Sequence, residues 1–344
     1  MELCGFIRYF ACNMPVAAVT GASGFLGSHL CALLLQKGYR VRAAVKYAVD
    51  IDRVVQFCSH YGVENTDMLS VYAGVWLYDT DAISDCFKGA DVVFHCAALV
   101  GFRKSDHNQL MEINGLGTEN VVNACLRTGI KHLVHVSSVA ALGREDGRET
   151  TDENTVWTDS TLNTSYAISK HLAELAVWRG VEEGLNASMV NPGIILGFCK
   201  SESGSGMIYK RAKKGSLLYP SGSNGFVGVE DVVKLMVAVY EYGLWGKRFV
   251  AVAENLTYKT VLDDFADAYK KSRPSIRIKP TMARFLAAIV GFFEGLGINT
   301  TIPAHGLIST SSKNQYKSIN LHLVPKFRFT LIKEVIRASV VAKK

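Results

Sequence analysis

A chain of 344 residues, 49% hydrophobic and 20% charged, can bury a full core, which excludes a disordered protein and suits two domains or one large α/β unit. Its formal net charge of +7 is spread along the chain, and the densest basic group (Lys326, Arg328, Lys333, Arg337, Lys343 and Lys344) reads as a solvated helix face, so no nucleic-acid partner is expected. Eight cysteines at irregular spacing, several inside apolar runs and none in a Cys-x-x-Cys pair, argue against disulfides or a metal centre and for reduced thiols in the cytoplasm.

Residues 1–13 carry Glu2 and Arg8 inside a short apolar stretch, a poor signal peptide and far too short to span a bilayer; they read as an extension before the first strand. Strand-like and helix-like periods then alternate, with strands expected at 16–20, 39–46, 68–73, 91–96, 131–136 and 187–191 and helices at 28–37, 52–61, 81–87, 110–128 and 166–183. Strands apolar on both faces that alternate with helices predict a doubly wound parallel sheet of the Rossmann type. Past residue 197 the pattern loosens into Gly/Ser-rich loops at 201–206 and 220–225 and helices at 230–242, 260–271 and 281–296. The expected organisation is a dinucleotide-binding domain over 14–197 plus about 226–253. A smaller, mostly helical substrate-binding lobe over about 198–225 and 254–340 would sit above the carboxyl ends of the strands. The apolar run 281–298 is interrupted by Arg284 and Glu294, which predicts an amphipathic helix covering a core or pocket and no transmembrane segment.

Between the first strand and the first helix lies Thr20-Gly21-Ala22-Ser23-Gly24-Phe25-Leu26-Gly27. Glycines there permit a tight turn and close approach of backbone to a pyrophosphate, and the helix N-terminus offers unpaired N–H groups. Gly21, Ser23, Gly24, Phe25, Leu26 and Gly27 are therefore the expected contacts. A glycine-rich turn alone is ordinary turn chemistry; its place after the first strand is what suggests a dinucleotide. An NAD-selective chain would carry an acid about twenty residues further on, against the adenosine ribose. Here the second strand runs Val41-Arg42-Ala43-Ala44-Val45-Lys46, with no carboxylate, a cation at its tip and Arg53 on the next helix. The missing acid favours NADP(H) over NAD(H), with Lys46 and Arg53 on the 2′-phosphate, although both could equally be plain surface cations.

Tyr166 and Lys170 stand four apart at the start of a helix and so share a face. A phenol of pKa about 10 is a poor acid at neutral pH, and an ammonium beside it favours phenolate, so the pairing predicts a Tyr166 pKa lowered by Lys170. Ser138, at the tip of the fifth strand, can hydrogen-bond the same substrate oxygen. Tyr-x-x-x-Lys is common by chance and gains meaning only with the glycine turn upstream and the serine between them.

In order and spacing these residues resemble the extended short-chain dehydrogenase/reductases of the NAD-dependent epimerase/dehydratase superfamily, over nearly the whole chain from Met14. Thr20–Gly27 is similar to their TGxxGxxG turn and His95-Cys96-Ala97-Ala98 to their fourth-strand motif. Asn114-Gly115-Leu116-Gly117-Thr118 resembles their NxxGT helix start, and Asn191-Pro192-Gly193-Ile194-Ile195-Leu196-Gly197 their loop beside the nicotinamide. The resemblance implies catalytic roles for Ser138, Tyr166, Lys170 and Asn114, and cofactor contacts from Ala97, Ala98, Tyr166, Lys170, Pro192, Gly193 and Ile194. Within the family, Tyr39–Lys46 and the stretch 152–159 look most like the dihydroflavonol-reductase and 3β-hydroxysteroid-dehydrogenase-like group. One departure concerns the adenine: where that group has Ala-Asp-Leu after the third strand, this chain has Ala73-Gly74-Val75.

Sugar-nucleotide epimerases share the Tyr/Lys pair but place Phe-Asn before the loop glycine, where this chain has Gly193-Ile194. Dehydratases place Asp-Glu after the catalytic hydroxyl, where this chain has Val139-Ala140. The implied activity is therefore reduction of a ketone or aldehyde, or oxidation of the alcohol, on an apolar small molecule of aromatic or steroid-like type. Leu99, Val100, Phe102 and Ile195 are candidate pocket walls, each of which could instead be core. An epimerase or dehydratase, or a non-catalytic NADP-binding sensor, are the alternatives; a sensor would need none of Ser138, Tyr166 and Lys170. In such enzymes the helices expected at 110–128 and 166–183 pair with their copies, and Leu172, Leu175, Ala176, Trp178 and Val181 exceed what one buried stripe requires, so a homodimer is expected.

Overall fold

The computed structural model describes residues 14–101, 103–143, 150–198, 205–295 and 304–342; the N-terminal extension, Phe102, Lys343 and Lys344 lie outside the described residues. The chain runs β1 (Val16–Thr20), α1 (Phe25–Gln36), β2 (Arg40–Val45), α2 (Ile51–His60), β3 (Leu69–Ala73), α3 (Thr80–Phe87) and β4 (Val92–His95). A continuous helix α4 over residues 107–128 follows, then β5 (His132–Val136), α5 (Ser165–Glu182), β6 (Asn186–Pro192) and β7 (Ile194–Leu196). The remainder comprises α6 (Ser205–Lys214), β8 (Leu218–Pro220), β9 (Ser223–Gly228), α7 (Val229–Glu241), β10 (Arg248–Ala251), β11 (Glu254–Thr257), α8 (Tyr258–Ala268), β12 (Ile276–Ile278), α9 (Pro280–Gly295), α10 (Ala304–Ser309) and α11 (Ile332–Val341).

Seven parallel strands form one sheet in the order β10-β6-β5-β4-β1-β2-β3. Strand side chains alternate between faces, and here each face is apolar. Ala17, Val19, Val41 and Phe94 pack with α1, α2 and α7, whereas Ala18, Ala44, Val93 and Leu133 pack with α3, α4 and α5. Both faces are covered, as the doubly apolar strands demand. Phe94 is fully buried, and Phe94→Ala would cost about 3–5 kcal/mol by the cavity it leaves. The strand order reverses between β1 and β4, so the crevice for a ligand opens at the carboxyl ends of those two strands.

Several elements differ from expectation. The seventh strand, β10 (Arg248–Ala251), was not among the expected strands, although its run Phe249–Ala251 is buried and apolar like that of β4. Helix α1 begins at Phe25 instead of residue 28, because Gly24 is extended and caps it directly after the turn. The second lobe holds helices α6, α8 and α11 around Tyr209, Phe226, Val261, Phe265, Ile332 and Ile336, but it also holds small sheets, β11-β9-β7 and β12-β8. In α9 the small Ala283 and Ala287 turn inward and Leu286 and Val290 are half-buried, while Met282, Phe285 and Ile289 are exposed. No helix among the described residues is long and apolar enough to cross a membrane.

Candidate active site

The glycine turn is shaped by contacts that only glycine allows. Gly21 has φ +65°, and a Cβ there would stand 2.7 Å from the Ala97 backbone; a Cβ on Gly27 would stand 2.1 Å from the Gly21 carbonyl oxygen. The Gly24 N–H donates to Gly21 O at 2.9 Å, and the Ser28 hydroxyl donates to Gly24 O at 2.7 Å. The half-buried Ser23 lies in the turn, and α1 then starts with no acidic residue in its first turn. The N–H groups of Phe25, Leu26 and Gly27 have no intrahelical acceptor, so this cradle fits an anionic pyrophosphate.

Thr20 ends β1 with its hydroxyl 2.7 Å from His95 Nδ1, and His95 Nε2 lies 3.0 Å from the Thr118 hydroxyl of α4. The backbone N–H of Ala97 donates to Thr20 Oγ1 at 3.3 Å, which lays Ala97 and the exposed Ala98 beside the turn. Between Met111–Leu116 α4 widens to a π-helix, a local form often found at functional sites. Asn114 sits in it. Its Oδ1 accepts from Leu99 N at 2.8 Å, and its Nδ2 donates to Leu99 O and to Ser169 Oγ, both at 2.9 Å. With both amide protons committed, Asn114 clamps the chain after β4 onto α5.

The Thr164 hydroxyl caps α5 by accepting from Ala167 N at 3.1 Å, so Tyr166 enters the helix in its first turn. Tyr166 hydrogen-bonds Ser138, whose own hydroxyl also accepts from Ala140 N at 3.2 Å and caps a short 3₁₀ turn, Val139–Leu142. Tyr166 and Ser138 are half-buried, with a face to solvent. Lys170 is 1% exposed beneath them; its Nζ donates to Val136 O at 2.7 Å and stands 3.5 Å from His135 Nε2. Burial pushes Lys170 down to about 8, while the Glu174 carboxylate pulls the other way. The two histidines beside it stay neutral: burial, reinforced by Lys170, takes His95 to about 3 and His135 well below its ordinary value.

Here one expectation is corrected. The Tyr166 pKa is raised, not lowered: burial dominates, and only the Ser138 hydrogen bond works against it. The physical reason is the desolvation of the phenol, while the Lys170 ammonium donates to Val136 O.

Composition of the site also includes residues that the sequence did not single out. Glu174 follows Lys170 by one further turn and is buried; it accepts from Asn191 Nδ2 and lies 3.4 Å from the Arg248 guanidinium. Asn191 also donates to Ser138 O at 3.1 Å, tying β6 to the serine. A carboxylate at the eighth position after Tyr166, on the same helix face, was the available signal. Pro192 is buried at the end of β6. Gly193 donates to Ala251 O at 3.1 Å, and a Cβ there would fall 2.4 Å from Gly225 O. Ile194 packs against the second-lobe core, and the half-buried Ile195, on the opposite side of β7, packs against the main core. Leu99 is half-buried and Val100 is 56% exposed.

At the far end, Lys46 follows β2 with its Nζ 4.8 Å from the centre of the Trp76 ring. Arg53 is exposed and 3.9 Å from Asp50 Oδ1. The Gly74 N–H donates to Lys46 O and the Val75 N–H to Val45 O, both at 3.1 Å, so neither is free for a ligand.

The family model described as the NAD dependent epimerase/dehydratase family matches residues 17–251. "Sterol demethylase protein B" of Methylococcus capsulatus (strain ATCC 33009 / NCIMB 11132 / Bath) is 28% identical over 277 residues, 79% of this chain and 80% of the relative. A "putative dihydroflavonol 4-reductase" of Synechocystis sp. is 26% identical over 309 residues, covering 87% of this chain and 85% of the relative. Among solved structures, yeast methylglyoxal/isovaleraldehyde reductase Gre2 complexed with NADPH superposes with a TM-score of 0.73 at 19% identity over 95% of this chain and 98% of that chain, a likeness of fold.

Proposed function

The chain belongs to the NAD dependent epimerase/dehydratase family, and we propose that within it the protein is an NADP(H)-dependent oxidoreductase. Its substrate would be the ketone or aldehyde, or the matching alcohol, of an apolar aromatic or steroid-like small molecule. The observation that carries this reading is the half-buried Tyr166–Ser138 pair above the buried Lys170. Two hydroxyls can hold one carbonyl oxygen, and Tyr166 can give it the proton it needs on reduction. The residue after Ser138, the buried Val139, offers no carboxylate for removing water.

The glycine turn, Ala97, Ala98 and the Pro192–Ile194 loop would hold the dinucleotide, with Lys46 and Arg53 at its 2′-phosphate. A bound reduced nicotinamide supplies the hydride. Tyr166 then protonates the oxygen, Ser138 orients it, and the Lys170 ammonium stabilises negative charge that develops on the phenol oxygen. Asn114 holds Leu99 and Ser169 in place around that group.

The test is NADPH oxidation against a panel of aromatic and steroid-like ketones and aldehydes, run beside nucleotide sugars. Turnover of ketones supports the reading; interconversion of a nucleotide sugar without net NADPH consumption would overturn it. The free thiols Cys31, Cys58, Cys86, Cys96 and Cys125 suit the cytoplasm. A homodimer through α4 and α5 is part of the proposal, because Leu116, Leu172 and Leu175 are exposed along these neighbouring helices. Trp178 and Val181, by contrast, pack on the sheet core and leave that surplus. Sedimentation at micromolar concentration checks it: a mass of 37.6 kDa throughout would mean a monomer.

A further inference from the structure

The second lobe turns large apolar side chains toward solvent. In α9, a helix that packs on α10, the buried Ala283 and Ala287 mark the inward side. Phe285 is two residues from each, about 200° around the helix axis, so it projects directly outward. It is 66% exposed, and the exposed Met282 and Ile289, three and four residues away, share its face. The β8–β12 ribbon just before this helix repeats the feature. Leu218 pairs in register with Ile276, so both point to one side of the ribbon, and both are exposed. Leu217, whose carbonyl accepts from Ser275 N and Ile276 N, is 64% exposed. Single exposed apolar residues are ordinary, but a cluster in two paired segments marks a surface with a use. Charge gathers on the same segments. Residues 203–229 hold Lys210, Arg211, Lys213 and Lys214, and the stretch has no Asp or Glu. Residues 268–293 hold Lys270, Lys271, Arg273, Arg277, Lys279 and Arg284, again with no acid. All of these cations are exposed, and Arg273 holds Asp267 at 2.8 Å. The whole chain is only +7, so everything outside the two stretches is net negative.

We propose that this surface, centred on Phe285, docks the second lobe onto an anionic lipid bilayer. Helix α9 lies in the plane of the interface, with Met282, Phe285 and Ile289 among the acyl chains and the cations against the headgroups. Cations alone would suit any polyanion, and apolar side chains alone any apolar partner. The two together on an amphipathic helix match the boundary between anionic headgroups and acyl chains. Lys279 and Arg284 can lay their stems along apolar surface and keep their charge at headgroup level. Helix α9 lies on the bilayer and does not cross it, since no helix among the described residues is long and apolar enough to do so. The surface is argued apart from the catalytic reading, and either can fail without the other. If both hold, the enzyme meets its apolar substrate in the phase where such molecules dissolve.

Flotation of the full chain with liposomes of phosphatidylcholine, and with liposomes that also contain phosphatidylserine, tests the proposal. The wild type should float with the anionic liposomes, come off them as salt is raised, and bind the neutral ones about tenfold less or weaker still. Phe285→Ser and, separately, Arg284→Glu should each lower binding to the anionic liposomes by about tenfold. Both side chains are exposed, so the thermal unfolding midpoint should not move. A wild type that binds neither liposome overturns the proposal, as does equal binding to both or unchanged binding by the two variants. Sedimentation without lipid adds a last check: a wild-type dimer that Phe285→Ser converts to monomer would give this face to a second copy and overturn the lipid assignment.

Discussion

The floor of the catalytic end and the rim of the adenosine end each carry a lysine, and the two are built in opposite ways. Lys170 is walled in by β4, β5 and its own helix, with Val136 O, His135 and Glu174 about its ammonium and burial drawing its pKa to about 8. Lys46 is exposed, with its ammonium over a ring face. Burial makes Lys170 a group whose charge the fold can set, because desolvation acts on the charged form. Lys46 is a mobile point charge whose worth depends on the ligand it meets. On the proposed function, the same side chain would serve chemistry in one place and selection in the other.

The comparison breaks hardest at Tyr166. Tyr166→Phe should lower kcat by about 10²–10⁴-fold and leave NADPH affinity intact, since it removes only the proton donor; retention of more than about a tenth of kcat would refute the role. Lys170 comes next. If its ammonium is the form that works, kcat/KM for the cofactor should be flat up to about pH 8 and then fall about tenfold per pH unit. Lys170→Met should abolish that limb along with most of the activity. Glu174→Gln should move the break to lower pH, because the Glu174 carboxylate opposes the downward shift. A break that survives Lys170→Met belongs to another group.

At the exposed lysine the effects are smaller. Lys46→Ala should cost about 1–3 kcal/mol in NADP(H) binding and little in NAD(H) binding, read by titrating both cofactors. Equal losses would deny it a selecting role. Arg53→Ala should cost less, about 0.5 kcal/mol, because the neighbouring Asp50 already draws on its charge and the side chain is solvated. A loss as large as that of Lys46→Ala would show Arg53 turning from Asp50 to the phosphate.

Much of the fold could be read from local pattern. Doubly apolar runs such as Val92–His95 belong to a parallel sheet, and glycines at 21 and 27 are demanded by contacts within a few residues or one strand away. The small sheets and β10 were not read so: β7, β8 and β12 have only three residues each, too few for a period, and β9 runs through a Gly/Ser-rich stretch. Helical spacing likewise put Tyr166 and Lys170 on one face, but it could not say which way the ammonium turns.

What the sequence determined by itself is therefore the scaffold and the candidate groups on it: alternating periods, the glycine turn, a tyrosine and a lysine one turn apart, and no acid at the tip of β2. Tertiary structure alone decided their states. Lys170 meets Val136, His135, Glu174 and, through Glu174, Arg248, groups drawn from two separate strands and its own helix; Tyr166 is raised by burial instead of lowered by that lysine. Spacing along a helix is a local property, whereas desolvation and the partner of a buried charge depend on every element packed around it.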